Sequence, residues 1–364
     1  MQFNLLFIGN KFSNNSYLRD YILREVEKKI GFIDSITFYQ ENDNSLFLYL
    51  ERELSSANKL LIITTKQHFS IVGKLLCTVT ADNQILKENM LLPSRCAVYE
   101  EQSYLLRHEN TIVNVLHVDE LTQFPRLLLE NENSSATIHL FREDKESAKA
   151  LLSPIAQTNE VKIEFTDIVE NWLKIDIRSR KYGNITQFIS SAKQLLNSKI
   201  ITASNIPAYI IEKLHHANKK VTFAESCTGG LLSHMFTQES GASNVFDGSL
   251  ITYSNALKEN WLAVDHTNLE SFGAVSAEVA QEMSEGALNV SYAHYSVAVS
   301  GIAGPTGGSE EKPVGTVYIS ARSKKNEQTH RLQLSGDRKY IQEQSALYAI
   351  KMLLEIDKEL FFTN

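Results

Sequence analysis

Cysteine is scarce in this chain, and its arrangement fits neither a metal site nor a disulfide framework. The 364 residues include Cys77, Cys96 and Cys227, an odd number. None of them lies in a CxxC pair or in a Cys/His cluster with zinc-ligand spacing. We therefore expect no bound metal and no disulfides, and we expect the reducing environment of the cytoplasm.

Long apolar runs and an excess of basic charge are lacking as well. Without a run of about 18 apolar residues, no ordinary membrane span is expected. The opening MQFNLLFIGNKF has no basic leader and no small-residue cleavage site, so it predicts a first β-strand rather than a signal peptide. The formal net charge of -7 and the pI near 5.9 provide no general field that attracts nucleic acid. Neither a membrane nor a nucleic acid is an expected partner.

The pattern of apolar segments divides the chain, which is too long for one ordinary core. Residues 1–134 alternate short apolar runs with amphipathic segments, which predicts βαβ units and a parallel sheet. The polar run at 130–136 precedes a smaller unit. We predict an α/β chain with an N-terminal α/β domain at 1–134, a small α+β connector at 135–202 and a C-terminal α/β domain at 203–364.

The segment VTFAESCTGGLLSHMF predicts a strand, a tight turn and a helix. A serine at such a turn projects its hydroxyl into open space, while nearby amides point at the group that the hydroxyl attacks. Ser226 occupies this position. The alternative is that Ser226 or Thr228 only caps the following helix, because serine and threonine are preferred caps.

A lysine follows on the next predicted strand and helix, in GSLITYSNALKENWLAV. Tyr253 is placed at the strand end and Lys258 in the helix. A lysine can activate a serine only when burial lowers its pKa enough to leave the amine neutral. The alternative is a solvated helix lysine beside Glu259. His234 and His266 have no comparable setting and are expected to be surface or capping residues.

Glycine is concentrated in the last third of the chain, above all in SGIAGPTGG, which follows an apolar strand. A loop with so little side-chain bulk lets a ligand lie against its backbone and accept several N–H bonds. Alone it is a weak signal, since it is neither a Walker A sequence nor a GxGxxG fingerprint.

Together these segments resemble the C-terminal domain of the CinA family in order and spacing. The segments are AESCTGG, YSNALK, GAVS, SGIAGPTGG, EKPVGTVY and SGDR. The resemblance covers about 160 residues, and it implies hydrolysis of the carboxamide of nicotinamide mononucleotide (NMN) without metal or cofactor. It implies Ser226 as nucleophile, Lys258 as base and Tyr253 as a partner that orients one of them. It also implies a homodimer.

The resemblance further implies which residues bind the substrate. These are Thr228, Gly229, Gly230, Ser300, Gly301, Gly304, Gly307, Gly308 and Arg338. One position departs from the family pattern, because Gln342 stands where the family commonly has a second arginine after SGDR. A phosphate or subunit contact from that position is therefore in doubt.

Residues 1–134 resemble the MoCF-like molybdopterin-binding domain found in full-length members of the family, which can carry a metal-dependent ADP-ribose pyrophosphatase activity. Here 66–69 stand where the family has a glycine-rich loop, and carboxylates for Mg²⁺ are missing. We expect a domain kept for structure or assembly. The alternative is a remodelled site supported by Asp82 or His68.

Two functions from different classes follow. The first is an amidase of pyridine nucleotides, and the second is a non-catalytic adaptor that uses the nucleotide pocket for binding or for a role in competence. Loss of Ser226 or Lys258 would favour the adaptor, and both residues are present.

The N-terminal segment generates the first testable prediction. We expect isolated 1–134 not to hydrolyse ADP-ribose in Mg²⁺, Mn²⁺ or Co²⁺, because the bulky side chains at 66–69 keep a phosphate from the backbone. The measurement is product release with and without each metal. Turnover that disappears on addition of a chelator would contradict the prediction.

Overall fold

The structure of the protein is a computed structural model. It describes residues 2–56, 58–119, 123–130, 135–179 and 182–363. The chain divides into two compact units, Met1–Ser135 and Ala136–Asn364. Both units combine helices with sheets, so the predicted α/β class is confirmed. The division into three domains stays a prediction. No helix in the described ranges is both long enough and apolar enough to cross a membrane.

The first unit alternates strands with helices and then continues as strands. Its elements are β1 (Phe3–Ile8), α1 (Asn10–Asn14), α2 (Ser16–Ile30), β2 (Ser35–Tyr39), α3 (Leu46–Leu54), β3 (Lys59–Thr64), α4 (Lys66–Val79), β4 (Gln84–Lys87), β5 (Met90–Pro93), β6 (Cys96–Glu100), β7 (Ser103–His108) and β8 (Thr111–His117). The main sheet has the order β2-β1-β3-β8-β7-β6, in which the first four strands are parallel. The predicted parallel sheet is therefore present.

Both faces of this sheet are buried at β1. Leu6 and Ile8 of β1 belong to an apolar cluster that includes residues of α3 and α4. Leu5 and Phe7 belong to a second cluster, which includes residues of α2. Because successive side chains of a strand point to opposite faces, β1 lies between two helical layers.

The segment at 66–69 is helical rather than a loop. It forms the first turn of α4, whose residues Phe69, Val72 and Leu76 are buried. Their spacing is that of one helix face, and the segment lacks the glycines that a phosphate loop would need.

His68 and Asp82, the residues of the alternative site, are not brought together. His68 Nδ1 lies 2.9 Å from Thr65 Oγ1 in the first turn of α4. Asp82 lies beyond the other end of the helix and accepts a bond of 3.0 Å from the amide of Arg95. A helix of 14 residues spans about 20 Å, so the two side chains serve separate turns.

The second unit contains two sheets. Its elements are β9 (Ser135–Phe141), α5 (Lys145–Thr158), β10 (Val161–Val169), β11 (Trp172–Ser179), α6 (Ile185–Leu196), β12 (Ile200–Ile201), α7 (Ile206–His216), β13 (Val221–Glu225), α8 (Leu231–Thr237), β14 (Ser249–Ile251), α9 (Asn255–Leu262), α10 (His266–Phe272), α11 (Ala277–Ser291), β15 (Tyr295–Gly301), β16 (Thr316–Ser323), β17 (Glu327–Gln333), α12 (Arg338–Ile356) and α13 (Lys358–Phe362). The strand orders are β10-β11-β9-β12 and β14-β13-β15-β16-β17. In the second sheet β14, β13 and β15 are parallel.

The five-stranded sheet lies between two helical layers. Val221 and Phe223 of β13 belong to the cluster that includes residues of α7, α8, α12 and α13. Ala224 belongs to the opposite cluster, with residues of α9 to α11. This arrangement holds α9 and α12 on opposite faces of the strand that precedes Ser226.

The predicted connector shares a core with the C-terminal part of this unit. Phe141 and Trp172 belong to the same apolar cluster as Phe362. The ring of Phe141 lies 5.3 Å from that of Phe362. Lys351 Nζ also donates a bond of 2.6 Å to the carbonyl of Glu170. The apolar surface of the C-terminal segment is therefore covered partly by connector residues.

This shared core predicts the outcome of truncation. A fragment of residues 136–364 should unfold at a higher temperature than one of residues 203–364. The shorter fragment exposes apolar side chains that Phe141 and Trp172 cover, and burial of each such side chain contributes about 1.5 to 3 kcal/mol. We expect the unfolding midpoint to fall by about 10 °C or more, at roughly 2 to 4 °C per kcal/mol. Equal midpoints measured by calorimetry would show that the connector contributes nothing to the core.

Candidate active site

Three neighbouring parallel strands end at one cleft. Ser226 follows β13, Tyr253 follows β14, and Gly301 is the last residue of β15. The carboxyl ends of parallel strands meet at the same edge of a sheet, where open α/β folds bind ligands. The cleft at this edge has a volume of about 260 Å³. The fold therefore brings together the three segments that the sequence analysis identified separately.

Residues 226–230 form a tight turn that we call the serine turn. The amide of Ser226 donates a 3.0 Å bond to Val299 of β15, and the amide of Gly229 donates a 3.2 Å bond to the carbonyl of Ser226. Gly229 and Gly230 have φ values of 60° and 100°. Glycine adopts this left-handed region without steric cost, so the turn can reverse the chain directly after the strand.

A buried glutamate caps the helix that follows the serine turn. Glu225 has no exposed surface, and its carboxylate accepts bonds of 2.9 Å from the amide of Gly230 and 3.1 Å from the amide of Leu232. The amide of Ser233 donates a third bond of 2.9 Å. These amides are the unpaired donors at the start of α8, where a carboxylate is favoured. Sequence reasoning missed Glu225, although a glutamate that ends an otherwise apolar strand was a usable signal.

The hydroxyl of Ser226 contacts Lys258 instead of capping α8. Lys258 Nζ lies 3.1 Å from Ser226 Oγ and donates a bond of 2.8 Å to the carbonyl of Thr252. The lysine side chain is 1% exposed, and burial lowers its pKa from 10.5 to about 8. Loss of water around the amine disfavours its charged form. The geometry therefore differs from that of a solvated helix lysine.

The other polar residues named in the sequence analysis make no contact with Ser226 or Lys258 among the hydrogen bonds of the described residues. Glu259 Oε1 lies 3.0 Å from the Nδ1 atom of His266. The Oγ1 atom of Thr228, the other candidate cap, is buried and has no hydrogen-bond partner among the residues that the structure describes. His234 lies on α8.

Tyr253 is bonded to an arginine rather than to the serine or the lysine. Its side chain is 60% exposed, and its hydroxyl accepts a bond of 2.7 Å from Arg338. Arg338 donates a second 2.7 Å bond to the carbonyl of Gly304. In the described part of the chain, no hydrogen bond joins Tyr253 to Ser226 or Lys258. In this geometry Tyr253 forms a tyrosine–arginine pair at the cleft, and its orienting role stays a prediction.

Two residues of the glycine-rich segment hold the cleft walls together. Ser300 is 1% exposed and donates a bond of 2.6 Å to the carbonyl of Ala274. A Cβ atom on Gly301 would lie 2.7 Å from the Val317 side chain and 3.1 Å from Cys227 Sγ. The close approach of β15 to the serine turn therefore requires glycine at this position.

The predicted residues fall into two groups by position. Those that line the cleft are Ser226, Tyr253, Lys258, Ser300, Gly301, Gly304, Gly307 and Arg338. Those outside the lining are Thr228, Gly229, Gly230 and Gly308. Cleft residues that the sequence analysis missed are Cys227, Asn255, Ala274, Val275, Ile302, Ala303 and Thr306. Asn255 precedes Lys258 by three positions in α9, a helical spacing that could have identified it.

Gln342 contacts the backbone of the residue that follows the nucleophile. Gln342 Nε2 donates a bond of 2.7 Å to the backbone carbonyl of Cys227. The Cys227 side chain is buried, and burial raises its pKa to about 12. The thiol is therefore protonated at neutral pH and is a poor nucleophile.

The comparison with protein families matches the same region. A family model described as the CinA C-terminal domain matches residues 203–356. A "putative competence-damage inducible protein" of Caldicellulosiruptor saccharolyticus is 43% identical over 171 residues, which are 46% of this chain and 42% of that protein. A CinA-like protein of Fervidobacterium nodosum is 49% identical over 144 residues, 40% of this chain and 35% of that protein. The chain thus spans about two fifths of the length of these curated relatives.

Solved structures also match this part of the chain. The competence/damage inducible protein CihA from Agrobacterium tumefaciens is 38% identical, with a TM-score of 0.41, and the match covers 42% of this chain and 93% of that one. The competence damage-inducible protein A (ComA) from Klebsiella pneumoniae is 33% identical, with a TM-score of 0.40 and coverage of 41% and 93%.

Proposed function

Because the chain belongs to the CinA family through its C-terminal domain, we propose that it is an amidohydrolase that converts NMN into nicotinic acid mononucleotide and ammonia. The observation that carries the proposal is the buried pair Lys258 and Ser226, with Nζ 3.1 Å from Oγ. A lysine whose pKa lies near 8 can be neutral at working pH and can take the hydroxyl proton.

The proposed reaction proceeds through an acyl-enzyme. Ser226 Oγ bonds to the carboxamide carbon while its proton passes to Lys258 Nζ, and the electron pair of the C=O bond moves to the oxygen. Collapse of this intermediate breaks the C–N bond, and ammonia leaves with the proton from Lys258. Water then attacks the ester, returns the proton to Ser226 and releases the carboxylic acid.

The charge and size of the cleft suit this substrate class. Arg338 and Lys258 line the cleft, and no carboxylate is among its described lining residues. An anionic phosphate is therefore favoured near the guanidinium of Arg338. The volume of about 260 Å³ is small for a ligand pocket. It suits the carboxamide-bearing ring, with the sugar phosphate placed towards the mouth of the cleft.

We also propose that the protein is a cytoplasmic homodimer.

An adaptor role remains the second candidate, because the names of relatives refer to competence or damage rather than to a reaction. An adaptor would need the cleft for binding alone. It would have no use for a buried lysine beside a serine, so the two candidates differ in what loss of the Ser226 hydroxyl should do.

The nucleophile generates a direct test. Ser226→Ala should lower ammonia release from NMN by at least about 10³-fold, because the acyl-enzyme can no longer form. Its unfolding midpoint and its affinity for NMN should stay close to those of the native protein. The matched control is Cys227→Ala, which changes the adjacent residue and should remain active. Retention of more than a few per cent of activity by Ser226→Ala would move the nucleophile elsewhere.

The protonation of Lys258 generates a second test. Its lowered pKa means that the amine is protonated below about pH 8 and neutral above, so kcat/KM should rise with pH through a midpoint near 8. Lys258→Arg should be as inactive as Lys258→Ala, because guanidinium does not give up its proton. If Lys258 instead served as a fixed cation, Lys258→Arg would keep much of kcat, and the damage would appear in KM.

A further inference from the structure

One face of α12 contacts two backbone segments of the site. Arg338 donates to the carbonyl of Gly304 in the glycine-rich segment. Gln342, one helical turn further on, donates its 2.7 Å bond to the carbonyl of Cys227 in the serine turn. The two residues are four positions apart and therefore lie on the same face of the helix. Unlike Arg338, Gln342 is not among the residues that line the cleft.

We propose that Gln342 is a positioning residue that fixes the peptide between Cys227 and Thr228, and thereby directs the Thr228 amide as a donor to the oxyanion. The proposal rests on the proposed amidase function and adds to it a residue that sets the electrostatics of the acylation step.

The geometry of the peptide bond links the two groups. A trans peptide is planar, and its N–H points opposite to its C=O. In the described chain the Gly304–Pro305 bond is the cis peptide, so the 227–228 bond is trans. When Gln342 holds the carbonyl of Cys227, the direction of the Thr228 N–H is fixed as well.

Thr228 is outside the cleft lining, but the peptide that carries its amide begins at Cys227, which lines the cleft. The turn is closed by the amide of Gly229, which donates to Ser226, and the amide of Leu231 donates to Thr228. Among the hydrogen bonds of the described residues, none has the Thr228 amide as its donor. Thr228 itself is 4% exposed. An amide without an acceptor in a nearly buried residue is rare, and two positions after the nucleophile it is a group that can bind developing negative charge.

The Thr228 amide should stabilise the transition state of acylation rather than the bound substrate. The carboxamide oxygen carries little charge in the bound substrate and a full charge in the tetrahedral intermediate, so a correctly directed amide stabilises the second more than the first. Loss of an entire oxyanion donor lowers kcat by about 10²- to 10³-fold. Loss of its orientation alone should have a smaller effect.

The test compares three variants of the full chain. Gln342→Met has similar length and no donor, and Gln342→Arg restores an N–H donor. The matched control is Gln344→Met, because Gln344 makes the same kind of bond, 2.9 Å to the carbonyl of Ser335, on the same helix. Each is assayed for ammonia release from NMN. Each is also assayed for phosphonylation of Ser226 by an alkyl fluorophosphonate, in which the Oγ–P bond forms, the P–F bond breaks, and the proton passes to Lys258.

We expect Gln342→Met to lower kcat by about 10- to 100-fold with KM changed by less than about twofold, the pattern of a transition-state interaction. Its phosphonylation rate should fall by a similar factor, Gln342→Arg should regain most of both rates, and Gln344→Met should match the native chain. Equal rates for Gln342→Met and Gln344→Met overturn the proposal. So does a loss that appears in KM or that Gln342→Arg does not restore, since a merely structural role would produce it.

The second probe separates this inference from the choice of substrate. If native Ser226 is phosphonylated but NMN is not hydrolysed, the proposed substrate is wrong, and Gln342 is then judged on the phosphonylation rates. If native Ser226 is not phosphonylated and NMN is not hydrolysed, both proposals are overturned; if NMN is hydrolysed, Gln342 is judged on kcat for NMN.

Discussion

The site depends on a lysine amine held out of water beside a serine hydroxyl. Lys258 is 1% exposed, and its Nζ atom has two oxygen neighbours, Ser226 Oγ and the carbonyl of Thr252. A charged ammonium in this position lacks the hydration that would stabilise it. The shift of its pKa from 10.5 to about 8 corresponds to roughly 3 kcal/mol. Because the unfolded chain keeps the proton up to the higher pKa, this destabilisation is present below pH 8 and is lost as the pH rises towards 10.5.

The surrounding structure keeps this pair in place. Glu225 connects the end of β13 to the start of α8, because its carboxylate accepts hydrogen bonds from three backbone amides at the end of the serine turn and in α8. Gly301 allows β15 to approach the turn closely. Gln342 contacts the turn from α12. The serine turn is thus held by the side chains of Glu225 and Gln342 and by the close approach of Gly301, while the Ser226 hydroxyl contacts Lys258.

Much of the site could be predicted because it follows from local patterns. A strand, a tight turn with two glycines and a helix made Ser226 a candidate, and the family resemblance added Lys258 as its base. The strand order β14-β13-β15 of the structure places both with Gly301 at one edge of the sheet. The partners of Tyr253 could not be predicted, because the bond to Arg338 joins positions far apart in sequence and depends on how α12 packs. The cap by Glu225 and the contact of Gln342 with the turn could not be predicted either, because both depend on how the elements pack. In the first unit, residues 66–69 were compared with a glycine-rich loop of the family. They form the start of a helix instead, as the helical spacing of their apolar neighbours indicates.

The proposed mechanism depends most on the protonation state of Lys258, which can be measured without assuming a substrate. The NMR signals of the Lys258 side chain, assigned by comparison with Lys258→Arg, can be followed from pH 6 to 11 in the native protein. If Lys258 is the base, its titration midpoint should lie near 8, well below the ordinary value of 10.5. A midpoint at or above 10 would mean that the amine is a permanent cation at working pH, and it would contradict the role of Lys258 as the base.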